Sequence, residues 1–112
     1  MLDDDQLMQQ AQRADKALDR GEYWGWMHGM PIAIKDLANA AGLPTSMGSP
    51  LFAGQVAEAD DTMVARLRRA GAIVIGKTNT PEFGLGSHTF NPVHGATRNP
   101  YDLTKSSGGS SG

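Results

Sequence analysis

Two short apolar runs on either side of one helical stretch constrain this chain most. AIVI, Ala72 to Ile75, is apolar at every position, the pattern of a strand buried on both faces. It follows directly on Asp60 to Gly71, where Met63, Val64, Leu67 and Ala70 recur at helical spacing and face inward. Asp60 or Asp61 caps that helix, Arg66, Arg68 and Arg69 suit its negative end, and Gly71 stops it. Upstream, PIAIKD alternates Ile32 and Ile34 with Ala33 and Lys35. That is a short strand with Pro31 at its start, where proline is tolerated. Strand, loop, helix, strand in this order predicts two parallel strands joined by a right-handed crossover, with the helix packed across them. The fold class is α/β.

Another helix precedes this unit. Asp3, Asp4 and Asp5 suit its positive end, and Leu7, Ala11, Ala14 and Leu18 make one narrow apolar stripe. Arg20 falls in the last turn and Gly21 is a left-handed stop. Between Leu37 and Gln55 no period survives, and Gly42, Pro44, Gly48, Pro50 and Gly54 mark a loop. From Asn79 onward, Pro81, Gly84, Gly86, Pro92, Gly95 and Pro100 mark a second one. A loop that long inside a small domain points to function.

Composition excludes several functions. With 112 residues there is one modest domain at most, and 39% hydrophobic with 20% charged residues is a globular balance. A net charge of -2 offers no basic field for nucleic acid or an anionic membrane surface. Cysteine is absent, which removes disulfides and cysteine-based zinc sites and suits a reducing compartment. No apolar run approaches the ~18 residues of a membrane span. MLDDDQ is acidic where a signal peptide is basic and then apolar. These features predict a cytoplasmic protein with no metal.

Several motifs carry possible chemistry. GAIVIGKT, Gly71 to Thr78, fits the letters of a phosphate-binding P-loop, G-x-x-x-x-G-K-T. That loop needs free backbone amides ahead of a helix that starts at the lysine. Here the four middle residues are strand formers, and Asn79-Thr80-Pro81 follows, so the match carries no nucleotide site. His28, His88 and His94 lack the spacing of metal ligands and read as loop histidines. Trp24 and Trp26 have no interleaved basic residues and read as packing. Lys35 is more informative. A lysine at a strand end is ordinarily a solvated surface group. Held in the apolar setting of PIAI, it can lose its proton and act as a base. The last residues, KSSGGSSG, have the composition of a mobile linker.

Taken in order, HGMPIAIKD, AGLPTSMGS, GAIVIGKTNTPEFGLGS and TRNPYDLTKSSGGSSG resemble consecutive blocks of the amidase signature family. The match runs from about Gly21 to the last residue, and the first helix also fits. The resemblance changes the status of the tail: the Gly/Ser run looks like the front half of the family's active-site loop. It implies a partial amidase-signature fold, with parallel strands from a larger mixed sheet, packing helices and long active-site loops. It implies hydrolysis of amide bonds by a Ser–cis-Ser–Lys triad, with Lys35 as base and Ser110 as the bridging serine, entered through a cis Gly109–Ser110 bond. A residue matching Gly84, behind T-N-x-P, lies near the substrate in such enzymes. No cofactor is implied, and the substrate is a small-molecule amide. The nucleophile and oxyanion turn lie beyond Gly112 in the family pattern. Residues 1–112 are then the N-terminal part of a truncated amidase domain, inactive and prone to associate by itself. The same resemblance leaves two alternatives open. One is a glutamine-hydrolysing amidotransferase subunit with partner subunits; the other is a non-catalytic binding piece. A homodimer is a further expectation.

Overall fold

The computed structural model describes residues 3–112. Helix α1 spans Asp4–Asp19, strand β1 Pro31–Lys35, helix α2 Thr62–Arg69 and strand β2 Ile73–Thr78. β1 and β2 pair in parallel from Pro31↔Ile73 to Lys35↔Thr78, with one register shift between Ile32 and Ala33. The parallel pairing predicted from the order of elements is therefore present. Val64 of α2 is fully buried against Ile34 of β1 and Val74 of β2, with Ala40 and Leu43 from the intervening loop. Ile32, Ala38 and Leu67 close over that cluster.

Two details of the helices differ from expectation. Met63 is 50% exposed, because α2 presents Val64 and Leu67 to the strands and Met63 lies on its flank. In α1 the inward face is Ala14 and Ala17, and Leu18 is 52% exposed. Two alanines three apart let the helix lie close to its neighbours. His28 fixes it there: Nε2 lies 2.9 Å from Ala14 O, and Nδ1 accepts from Trp24 N at 3.1 Å. The α1 stop at Gly21 is as expected, with φ at +74°. Asp61 occupies the cap position of α2 without capping it through its side chain. Instead Asp61 Oδ2 accepts from Asn39 N at 2.8 Å, and Asp60 Oδ1 from Ala41 N at 2.7 Å. The pair of aspartates thus ties the loop after β1 to the start of α2.

The stretch from Asn79 is not one unbroken loop. After a turn at Glu82–Gly84, β3 (Phe90–Asn91) pairs antiparallel with β4 (Gly95–Ala96). β5 (Arg98–Asn99) then pairs with β6 (Asp102–Ser106) across a two-residue connection, Pro100 and Tyr101. Asn91 holds this region to the end of β2. Its Nδ2 donates to Asn79 Oδ1 and Thr80 O, and its Oδ1 accepts from Val93 N and His94 N. Among the described residues no helix is long and apolar enough to cross a membrane.

Candidate active site

Side chains alternate across a strand, so Lys35 and Asp36 leave the end of β1 in opposite directions. Lys35 is partly buried, and its Nζ donates to Ser110 Oγ at 2.8 Å. The two residues lie 75 positions apart, and the fold brings them into direct contact. Ser110 belongs to the Gly/Ser tail that follows β6. That tail is folded against the segment Ser87–Thr89: Gly109 N donates to Ser87 O at 2.8 Å, and His88 forms an antiparallel bridge with Gly108. At its end, Gly112 N donates to Thr89 Oγ1 at 3.0 Å. The linker-like composition is thus overruled by specific backbone bonds.

The expected cis bond before Ser110 is not found. Every peptide bond among the described residues is trans, Gly109–Ser110 included. A cis bond at a non-proline residue costs ~3–4 kcal/mol and needs surroundings that force it. The bonds of Gly109, Ser110 and Gly112 are made by a trans chain, so nothing in them offsets that cost, while Ser107 Oγ earlier in the tail is buried without a partner.

On the other face, Asp36 is almost fully buried and gathers several donors. Ser46 N approaches both carboxylate oxygens, at 3.1 and 3.2 Å, and Ser46 Oγ donates to Oδ2. Lys77 Nζ stands 3.3 Å from Oδ1 and His94 Nε2 3.6 Å from Oδ2. Lys77 also donates to Ala38 O, Pro44 O and Thr45 Oγ1 at 2.8, 3.1 and 2.8 Å. All three ammonium protons are therefore committed to the loop after β1. Burial pushes this lysine below its usual value, with Asp36 opposing the shift. The residue that a P-loop would aim at phosphate is here a cross-brace of the sheet, and the residues before it are paired strand. A cavity of about 470 Å³ is lined by Asp36, Lys77, Asn79 and His94, among others. Lys35 and Ser110 do not line it.

Gly84 sits in the turn after Thr80-Pro81 with φ at +75°. A Cβ there would fall 2.7 Å from Leu37 Cδ1, so the turn and the residues just after Lys35 are in close approach. Gly84 therefore borders the end of β1. Among the described residues there is no group of three His, Cys, Asp or Glu placed to hold a metal. Sequence reasoning missed Asp36 with Lys77 as a buried pair, and it missed Thr89 and Asn91. The signal available for the first was a charge beside Lys35, with a second lysine at the end of the next strand.

The elements define an α/β protein: a parallel β-α-β unit whose strand-end lysine, Lys35, meets Ser110 of the Gly/Ser tail. The family model described as Amidase matches residues 1–112, and the chain belongs to that family. It is 41% identical over 111 residues to a glutamyl-tRNA(Gln) amidotransferase subunit from Streptomyces coelicolor, covering 99% of this chain and 22% of that protein. A crystal structure described as an amidase superposes with a TM-score of 0.84 at 36% identity, covering 98% of this chain and 25% of that one. A bacterial aryl acylamidase of the amidase signature enzymes superposes with a TM-score of 0.79 at 30% identity, covering 95% and 22%. The chain thus spans about a fifth to a quarter of the length of the relatives it matches.

Proposed function

We propose that this protein hydrolyses the carbon–nitrogen bond of small amides, with Lys35 as base and Ser110 as proton relay. The observation that carries this is the 2.8 Å contact between Lys35 Nζ and Ser110 Oγ, inside a chain that matches the Amidase family along its whole length. In the protonated state Lys35 donates to Ser110. With Lys35 neutral, the same contact runs the other way, and the amine accepts the Ser110 hydroxyl proton. Ser110 can then take a proton from a serine nucleophile, so no histidine is needed. The residues 1–112 supply the base and relay of an amidase domain. In this reading the nucleophile and the oxyanion donors follow Gly112 in the natural protein. Gly84, at the border of β1, would face the substrate. The cysteine-free composition fits the reducing cytoplasm, the compartment we propose.

A second reading is favoured by the likeness to glutamyl-tRNA(Gln) amidotransferases. In it the amide is glutamine, the ammonia goes to a second reaction, and partner subunits are required. One experiment separates the two. Ammonia release is measured from a panel of primary amides that includes glutamine, using the protein in its natural length. Turnover of simple amides by the protein alone supports the amidase. Turnover of glutamine alone, rising when partner subunits are added, supports the amidotransferase. No release from any amide, under either condition, would remove both.

A further inference from the structure

One short segment grips the Gly/Ser loop on both sides of Ser110. Ser87 O accepts from Gly109 N, and the next residue, His88, bridges Gly108. Thr89 comes next and is fully buried. Its hydroxyl donates to Gly109 O at 2.9 Å and accepts from Gly112 N at 3.0 Å. A hydroxyl carries one proton and two acceptor lone pairs, so both bonds form together. Gly109 C=O and Gly112 N–H are three residues apart, the pair that a β-turn would join directly. Here Thr89 Oγ1 stands between them and closes the arc that contains Ser110. Among the described residues, the one other side chain hydrogen-bonded to this arc is Lys35.

We propose that Thr89 is a positioning residue for the lysine–serine pair. Its hydroxyl fixes the backbone before and after Ser110, and so sets where Ser110 Oγ meets Lys35 Nζ. This rests on the roles given above to Lys35 and Ser110. Threonine suits the task because its β-branched side chain is stiff about χ1, which aims the hydroxyl. Valine keeps that shape and removes both bonds, leaving Gly109 O and Gly112 N without their partner. Serine keeps both bonds on a looser stem.

The test uses the protein in its natural length, as Thr89→Val, Thr89→Ser and Lys35→Ala beside the wild type. Two readouts are taken: steady-state amide hydrolysis, and hydrogen exchange at the Gly109 and Gly112 amides. In Thr89→Val, kcat should fall about 10²-fold, the scale of a small misplacement of a reacting group. KM should change less than about threefold, since the interaction serves the chemical step and not ground-state binding. Gly112 should lose exchange protection, and Thr89→Ser should restore both kcat and protection. If the valine protein does not fold, Thr89→Ala carries the same expectation, since it removes the same two bonds and leaves room for water. Wild-type kcat and protection in Thr89→Val would overturn the proposal. So would a loss that Thr89→Ser fails to rescue. Full activity in Lys35→Ala would remove the base assignment instead. The exchange readout then still decides whether Thr89 holds the arc: unchanged protection in Thr89→Val overturns it, and lost protection supports it.

Discussion

Lys77 shows how a single side chain is defined by its partners. Its three protons go to Ala38 O, Pro44 O and Thr45 Oγ1, and the charge faces Asp36. Lys77→Met should lower stability by about 3 kcal/mol, since it leaves a buried carboxylate without its cation. Chemical denaturation at neutral pH measures this, and a change within about 0.5 kcal/mol, the size of a surface substitution, would contradict it. The pH dependence has a definite sign. Burial holds the folded-state value of Lys77 below its usual 10.5. Between the two values the unfolded chain binds more protons, so stability rises with pH across that alkaline window. The rise should be present in the wild type and missing from Lys77→Met. At Gly84, a side chain would meet both a left-handed backbone and the Leu37 methyl. Gly84→Ala should therefore displace the turn against the end of β1 and lower amide turnover in the natural-length protein, with expression unchanged. Turnover equal to wild type would separate Gly84 from the site.

The elements differ in how far their residues announce them. β1, α2 and β2 were legible because burial there follows period. An all-apolar strand such as Ile73–Ile75 has one place to go, and Val64 with Leu67 must meet it. Val64→Ala should cost about 2 kcal/mol, the transfer term for a buried valine plus a small cavity, read as a shift in denaturation midpoint. Gly71→Ala should do more damage than its size suggests. The backbone there is left-handed, at φ +98°, and a Cβ would lie 2.7 Å from His28 Cα. The second half of the chain was not legible. β3, β4 and β5 have two residues each, too few for any period, and Asn91 ties β3 to the end of β2 and to the turn after it through four hydrogen bonds that no pattern marks. The lysine–serine contact came from the family resemblance of the blocks around Lys35 and Ser110, since composition alone made the tail a linker. The cis bond carried over with that resemblance did not appear: Gly109–Ser110 is trans, and a non-proline cis bond costs ~3–4 kcal/mol that the bonds around Ser110 do not offset. Thr89 was missed because a threonine inside a Gly- and Pro-marked stretch looks like any loop residue; its burial is set by neighbours twenty positions away.

Across the whole molecule, packing is loose for the length. The radius of gyration is 15.7 Å, where a self-contained domain of this size has roughly 13 Å. The accessible surface is 7087 Å², against roughly 5,900 Å² expected for the mass. Leu51, Leu85, Tyr101 and Trp26 are among the large apolar side chains left in solvent, and among the described residues β1 and β2 pair only with each other. Open strand edges and apolar faces recruit other chains. The 112-residue chain alone should therefore self-associate, and sedimentation velocity showing a stable monomer at micromolar concentration would contradict that. The roles we propose for Lys35 and Ser110, base and relay of an amidase, stand or fall on their removal. The most direct measurement is ammonia release from primary amides by the natural-length protein as wild type, Lys35→Ala and Ser110→Ala. Turnover is expected in the wild type, with a loss of about 10³-fold or more in either variant, since members of such a unit fail together. Turnover near the wild-type rate in Lys35→Ala would contradict those roles.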